Sequence, residues 1–428
     1  MNILTEVLRN DVFPALGCTE PIAVAYAASL AGEQLEGAVS EVRISVDPAV
    51  YKNGMAVSVP NAGGERGNLI AGVLGALIQR PALKMKIMEG ATEEHLDRAL
   101  ALIKTQKAEI HCDKSRAGLH IEVLLRAGEE SARAVIEGSH TNVVALEHDG
   151  CPVPHSIAEA KQADGDGFRD VLERTSLAEL VDLADGLDSS GYDYIKQGIE
   201  MNLRACDEGL TLRRVGHYIA ELVEQEYRAI GVSASTEAMT AAAADARMGG
   251  LSLPVMSSGG SGNQGIVAIL VPHLVGRYYG VEEDVVIRSI ALSHLVNSYI
   301  KCFTGDLSPL CGCAISAGVG AAVAMVYQRA GKDLPKMALA TNNLISDLGG
   351  MLCDGAKEGC ALKVASSTSS AIRAAHMALN NHGISQVEGF VGATVEETIR
   401  NLGRVGMVGL SRADGTMLDI MIEKTMRS

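Results

Sequence analysis

The chain has 428 residues, a formal net charge of −15 and 47% hydrophobic residues, with only 3% aromatic residues and no Trp. That length predicts two or three domains with a large buried interior. An acidic balance without any basic run excludes a nucleic-acid partner, whose phosphates require clustered Lys and Arg, and suits a cytoplasmic protein.

In chain order, MNILTEVLRNDVFPALG is amphipathic and charged, unlike the apolar middle of a signal peptide. A helix is expected through PIAVAYAASLAGEQL. The β-type runs EVRISVDP, GMAVSVPN, LKMKIM, AEIHC, HIEVLLRA and ARAVIEGSHTNVVALE follow, interrupted by helical GNLIAGVLGALIQ and EEHLDRALALIKT. Alternation in HIEVLL and RAVIEG has strand period. The pattern breaks at EHDGCPVPHS, with two prolines and a glycine, and from there to about residue 383 it is helical. LTLRRVGHYIAELVEQEYRAIG sets Leu212, Val215, Ile219, Leu222 and Val223 on one face. EEDVVIRSIALSHLVNSYIKCF opens on acids, as suits a helix N-terminus. Two more helices are expected in PKMALATNNLISDLGG and SSTSSAIRAAHMALNNHG.

The stretch Leu307 to Tyr327 carries no charge, but its proline, serines and glycines favour a buried helix over a membrane span. The predicted fold class is α+β. A mixed α/β domain spans 1–150, a mainly helical catalytic domain 151–383, and the segment 384–428 is expected to pack back on the first domain.

Nine cysteines with no export signal read as reduced thiols, so metal or catalytic use outranks disulfides. Cys112 and Cys206 read as small core hydrophobes, and Cys151 falls in the junction loop. Cys302, Cys311 and Cys313 flank FTGDLSPL and open a Gly/Ala-rich helix, while Cys353 and Cys360 follow a helix that ends at a glycine pair. Thiolates at helix ends and loops can converge on a metal, and three from separate segments would leave a coordination position free. A cysteine-rich core is the alternative reading of the same spacing. Cys18, between Gly and Thr at a helix start, is a candidate activated thiol or a small residue fitted into a tight turn.

The segment SSGGSGNQGIVAILV is a polar, Gly-rich loop running into an apolar helix, a site for an anion such as a substrate carboxylate. Ser258, Gly259, Ser261 and Asn263 are its expected contacts, with Asn61 and Glu20 as further candidates, Glu20 for an ammonium group. Lys301 reads as a substrate-side cation or a solvated helix-end lysine. Gly260, Gly262 and Gly265 match the dinucleotide fingerprint, but Pro254 interrupts the approach, and Glu283 and Asp284, near the right distance for the ribose-binding acid, open another helix rather than end a strand. The histidines, His140, His217, His273 and His294 among them, read as packing residues, with His140 placed near the site.

The motifs GCTEP, KNGMAVSVPN, MSSGGSGNQGI, NSYIKCFTG, LCGCAISAGVG and GGMLCDGAKEGCALKV occur in one order along most of the chain. In these the sequence resembles the oxygen-sensitive L-cysteine desulfidases, related in their helical part to the iron–sulfur L-serine dehydratases. The resemblance implies a lyase of cysteine catabolism that converts L-cysteine to pyruvate, ammonia and hydrogen sulfide without pyridoxal phosphate (PLP). It implies a [4Fe–4S] cluster on Cys313, Cys353 and Cys360, with Cys311 the alternative first ligand, and Cys18 in substrate handling; the elimination needs a base for the α-proton, and Cys18 as thiolate is the leading candidate. L-serine dehydration, a zinc hydrolase on the same thiols and a cluster-based redox sensor remain open as alternatives. The expected partner is a small amino acid, with no nucleic acid and no membrane, and a homo-oligomer is left open.

Overall fold

The computed structural model describes residues 2–116, 118–154, 167–225, 227, 229 and 231–425. The first part contains α1 (Ile3–Asn10), β1 (Pro14–Ala15), α2 (Thr19–Glu33), β2 (Glu41–Val46), α3 (Pro48–Gly54) and α4 (Asn68–Ile78). A 3₁₀ segment (Pro81–Gly90) and α5 (Glu93–Lys104) lead to β3 (Ala108–Cys112), β4 (His120–Ala127), β5 (Glu130–Glu137), β6 (Val143–His148) and β7 (Cys151–Pro152). Six strands form one sheet in the order β3-β2-β4-β5-β6-β7, antiparallel except for the β2–β3 pair.

One face of the sheet is covered by α2 and α4, side by side, and receives Val42, Ile44, Ile121, Val123 and Ile136. The other face carries charges, such as Arg133 between Glu122 (2.9 Å) and Glu147 (2.8 Å), the usual division for antiparallel strands. Helix α2 is buried from Thr19 to Gly32, and its approach to α4 needs small residues. A Cβ on Gly75 would lie 2.1 Å from the Ala25 carbonyl oxygen.

The second part is helical: α6 (Phe168–Glu173), α7 (Leu177–Asp185), α8 (Ser189–Thr211), α9 (Val215–Glu224) and α10 (Val232–Met248) precede a two-residue strand, β8 (Val255–Met256). Then follow α11 (Gly262–Tyr278), α12 (Glu283–Thr304), α13 (Ser316–Ala330), α14 (Leu334–Leu348), α15 (Cys360–Leu379), α16 (Val395–Arg404) and α17 (Ser411–Thr425). Helices α10 to α13 and α15 form the centre of a second core. The uncharged stretch near residue 320 becomes a loop and then α13, buried from Ser316 to Val326. Among the described residues no helix is long and apolar enough to cross a membrane.

The two cores are stitched together by chain crossings. Helix α1 buries Ile3, Leu4, Val7 and Leu8 in the helical core, and β1 pairs antiparallel with β8. Near the C-terminus α16 packs on α12 and α14, while α17 reaches α3, where Asp414 pairs with Lys52.

Three local expectations differ. LKMKIM is the 3₁₀ segment, not a strand: Met85 and Ile87 are buried and Lys84 and Lys86 exposed, but the segment lies on α2, away from a strand edge. GMAVSVPN buries Val57 and Val59 in a tight bend, bridged from Ser58 to Arg66, without becoming a strand. The apolar face expected from Leu212 to Val223 is broken before α9 begins, and Leu222 is exposed.

The α2–α4 contact gives a direct test of this packing. Gly75→Ala is expected to lower the unfolding free energy by about 2 kcal/mol or more, the usual cost of overpacking, measured by denaturant unfolding. An unchanged midpoint would mean that the helices do not approach this closely.

Candidate active site

Four thiols from three segments of the helical part line one small cavity of about 100 Å³: Cys311, Cys313, Cys353 and Cys360. Cys311 and Cys313 precede α13, Cys353 lies in the loop after α14, and Cys360 is the first residue of α15. The two loops are clamped to each other. Leu310 and Leu352 form an antiparallel bridge, the Cys311 N–H donates to Met351 O at 2.8 Å, and the Cys353 N–H donates to Pro309 O at 2.7 Å. The loop is also tied to the sheet-containing part, because the Ala356 N–H donates to Asn53 O (3.2 Å) and Lys52 Nζ to Cys353 O (3.0 Å). Gly355 has φ +90° and a Cβ there would lie 2.4 Å from Lys52 O, so only glycine fits.

The Cys311 and Cys313 sulfurs are 3.3 Å apart. Their shared hydrogen bond lowers the Cys311 thiol to about 7 against burial, with Lys363 helping, and raises Cys313. Burial raises Cys353 to about 11 and also raises Cys360. Among the described residues no three His, Cys, Asp or Glu side chains group closely enough to hold a single metal ion. Cys302 does not line the cavity; its sulfur faces the carbonyls of Arg169 and Ser298.

Cys18 and Glu20 line the same cavity from the start of α2. Gly17 turns the chain at φ +73° against Pro60, and Cys18 occupies the N-cap position without capping the helix through its side chain. Its Sγ donates to Glu20 Oε2 at 2.8 Å. Burial first, and then the Glu20 charge, raise the Cys18 thiol well above its ordinary range. The expected thiolate at a helix start is thus a neutral thiol here, since desolvation and a neighbouring carboxylate outweigh the helix end. Burial works against ionisation of Glu20 too, but His140 and the thiol bring it down to about 2. His140 Nε2 lies 3.8 Å from Glu20 Oε1.

Of the Gly-rich loop, Ser261 and Asn263 line the cavity, whereas Ser258 and Gly259 do not. Ser258 is fully buried, and its Oγ meets His294 Nδ1 (2.8 Å) and Asn297 Nδ2 (2.9 Å). Gly259 turns at φ +53° beneath Lys301, whose Nζ donates to its carbonyl. The N–H groups of Ser258, Gly260 and Ser261 are bonded to Ser261 O, Asp11 O and Ser258 O. The donors left for an anion are the first amides of α11, where a helix lacks internal acceptors. Asn61 is exposed, with φ +58°, and its side chain bonds Met88 O and Ser252 Oγ; it lies outside the cavity lining.

Several cavity residues carried no signal in the sequence. Arg247, at the end of α10, is 3% exposed and donates from Nη1 to Asn263 Oδ1 at 3.2 Å. Asn53 Oδ1 and Gln264 Oε1 are buried without hydrogen-bond partners among the described residues. Lys301, which the sequence did single out, is buried rather than a solvated helix-end lysine and lies 3.0 Å from Asp306. Against burial, Lys301 and Arg169 hold the Asp306 carboxyl well below the usual carboxylate range. A larger outer cleft of about 810 Å³ shares Glu20, Ser261, Lys301, Asp306 and Leu307 with the cavity and has His140 in its wall. These shared walls mark the route inward from solvent.

The family model described as serine dehydratase alpha chain matches residues 83–419. The chain belongs to this family. It is 57% identical to a UPF0597 protein of Geobacter sulfurreducens over 99% of both chains. It is 50% identical to a UPF0597 protein of Elusimicrobium minutum, over 99% of this chain and all of that one. A UPF0597 protein of Clostridium tetani is 39% identical over 99% of this chain and 98% of its own. No solved structure matches the chain.

Glu20 predicts an acid sensitivity. Its folded value of about 2 lies below the ordinary 4.5, so its stabilisation is fully present above pH 4.5 and is lost as pH falls toward 2. The amount is on the order of 3 kcal/mol, at 1.36 kcal/mol per pH unit. Unfolding measured between pH 6 and pH 3 is expected to show a smaller loss in Glu20→Gln than in the parent. Parallel curves would contradict the buried charge.

Proposed function

We propose that this protein is a PLP-independent iron–sulfur lyase that removes the β-substituent of a small L-amino acid, converting L-cysteine to pyruvate, ammonia and sulfide. The observation that carries the reading is the meeting, on one small cavity, of a four-thiol wall and the Cys18–Glu20 pair, in a chain of the serine dehydratase alpha chain family. A donor set made only of thiols suits iron–sulfur ligation. Cys313, Cys353 and Cys360 would hold the cluster, and Cys311 stands beside them. When bound, the cluster would supply an iron with an open position, a soft Lewis acid toward a departing sulfur.

The protein's own residues handle the proton. In this reading Cys18 first gives up its thiol proton to solvent in the cleft and then, as thiolate, takes the α-proton at Sγ, with Glu20 Oε2, 2.8 Å away, orienting the sulfur. The electron pair of the broken Cα–H bond forms the Cα–Cβ double bond, and the Cβ–S bond breaks. The released aminoacrylate tautomerises and hydrolyses to pyruvate and ammonia. Glu20 is thereby reassigned from an ammonium contact to the partner of the base. Ser261, Asn263 and the first amides of α11 would face the substrate's polar groups. Family membership favours a second reading, the same elimination on L-serine with hydroxide leaving in place of sulfide.

Anaerobically cluster-loaded protein is expected to release pyruvate from L-cysteine with matching sulfide, and comparison with L-serine separates the two readings. Turnover of neither, or zinc bound without acid-labile sulfide, would contradict the lyase. Replacement of Cys313, Cys353 or Cys360 by Ala is expected to lower iron content at least several-fold, while Cys311→Ala retains it. Cys18→Ser is expected to keep its iron and lose turnover by about 10²- to 10⁴-fold, the range for a missing general base.

A further inference from the structure

Arg247 is a buried cation that, among the described residues, faces no anion. Its side chain is 97% buried, borders the inner cavity, and among the described residues makes one hydrogen bond, to the neutral Asn263 amide. Its Nε is buried with no acceptor, and among the described residues no carboxylate pairs with it. Two buried lysines are balanced, Lys301 by Asp306 and Lys52 by Asp414, and the half-buried Arg169 has both Asp11 and Asp306. An unpaired guanidinium away from water carries a desolvation cost that only an incoming negative group offsets.

The chain makes deliberate room for this side chain. At Gly262, the first residue of α11, a Cβ would lie 2.3 Å from Arg247 Nε and 2.8 Å from its Cζ. The φ of Gly262 is not in the left-handed region, so the requirement for glycine there is steric, set by Arg247 together with Val255, whose Cγ2 would lie 2.7 Å from the Cβ. The guanidinium therefore lies against the first turn of α11, where free amides and the positive end of the helix dipole already favour an anion. Cys18 senses the same charge, which lowers its thiol against burial, so the two side chains share one neighbourhood.

We propose that Arg247 is the carboxylate anchor of the site, selecting substrates that carry a free α-carboxylate and fixing the α-carbon beside Cys18. This rests on the lyase reading above and adds to it the group that decides substrate class: a free amino acid rather than an amine, an amide or a peptide-linked residue. The family of charge-assisted hydrogen bonds formed by a guanidinium on a carboxylate supplies the orientation that an amide pair could not.

The test is made on cluster-loaded protein with two ligands that cannot be eliminated, L-alanine and L-alaninamide, by calorimetry. The parent protein is expected to bind L-alanine at least about 10-fold more tightly than the amide, and Arg247→Gln to lose that preference. With a turned-over substrate, KM is expected to rise on the order of 10²-fold in Arg247→Gln, the scale for removing one partner of a buried charge pair, with a smaller change in kcat. Arg247→Lys is expected to restore part of the preference, and Gly262→Ala, which displaces the guanidinium without removing it, to weaken L-alanine binding. Equal binding of acid and amide by the parent protein would overturn the proposal without recourse to any variant. So would an Arg247→Gln protein that keeps the preference, or one whose main defect is lost iron, because the charge would then serve the cluster. If the parent protein neither binds an amino acid nor turns one over, the lyase reading itself falls; turnover with an unchanged KM in Arg247→Gln removes only the anchor.

Discussion

Two backbone hydrogen bonds, from Cys311 to Met351 and from Cys353 to Pro309, hold together the two loops that carry most of the thiol wall. Between them the chain runs out along α13 and back along α14, so the wall exists only if that helical hairpin is rigidly seated. Its rigidity comes from small residues. Gly318 and Gly320 in α13 let Leu344, Ser367 and the Ser293 carbonyl approach to distances that a Cβ would forbid, and the closeness of the helices fixes the angle at which both loops emerge. The low aromatic content of the chain has the same origin: tightly approached Gly/Ala helices leave little volume for large rings.

Around that wall the protein keeps charges in places where an ordinary core would have none. Glu20, Lys52, Arg247 and Lys301 are all buried, and each charge must be answered within hydrogen-bonding reach or by something that arrives. Lys52 and Asp414 do double duty, joining α3 to α17 while presenting an ammonium to the Cys353 carbonyl. The ion-paired group of Asp11, Arg169, Asp306 and Lys301 similarly connects the N-terminal segment, α6 and α12 at the mouth of the cavity. The site is thus built where the sheet-containing part and the helical part meet, and each contributes groups the other lacks: the carboxylate and thiol pair from one, the remaining thiols and the anion-facing helix from the other.

Much of this was legible in the sequence because the informative residues sit in short, unusual strings. The strand alternation of HIEVLLRA and the uninterrupted apolar run of α13 follow directly from period and composition, and LCGC with CDGAKEGC announced the thiol wall. Arg247 was not legible. In AAAADARMGG it reads as a solvated cation at a helix C-terminus, and only the packing of α10 against α11 turns it inward. Of the Gly-rich loop only Ser261 and Asn263 reach the cavity, because Ser258 and the loop amides are taken up by internal hydrogen bonds that depend on α12 and the segment after α1. Cys18 and Glu20 are neighbours in any reading, yet which of them holds the proton depends on burial and on His140, more than a hundred residues away. Asn61 belongs to a motif that shapes a turn, so its place in a matching string carried no information about contact with the cavity.

The central claim is that these thiols carry a cluster with one iron left to the substrate. Mössbauer spectroscopy of anaerobically reconstituted, ⁵⁷Fe-loaded protein tests it most directly. The account predicts one iron environment distinct from the others, whose signal changes when L-cysteine or L-serine is added. Irons that are all equivalent and indifferent to either amino acid would contradict it.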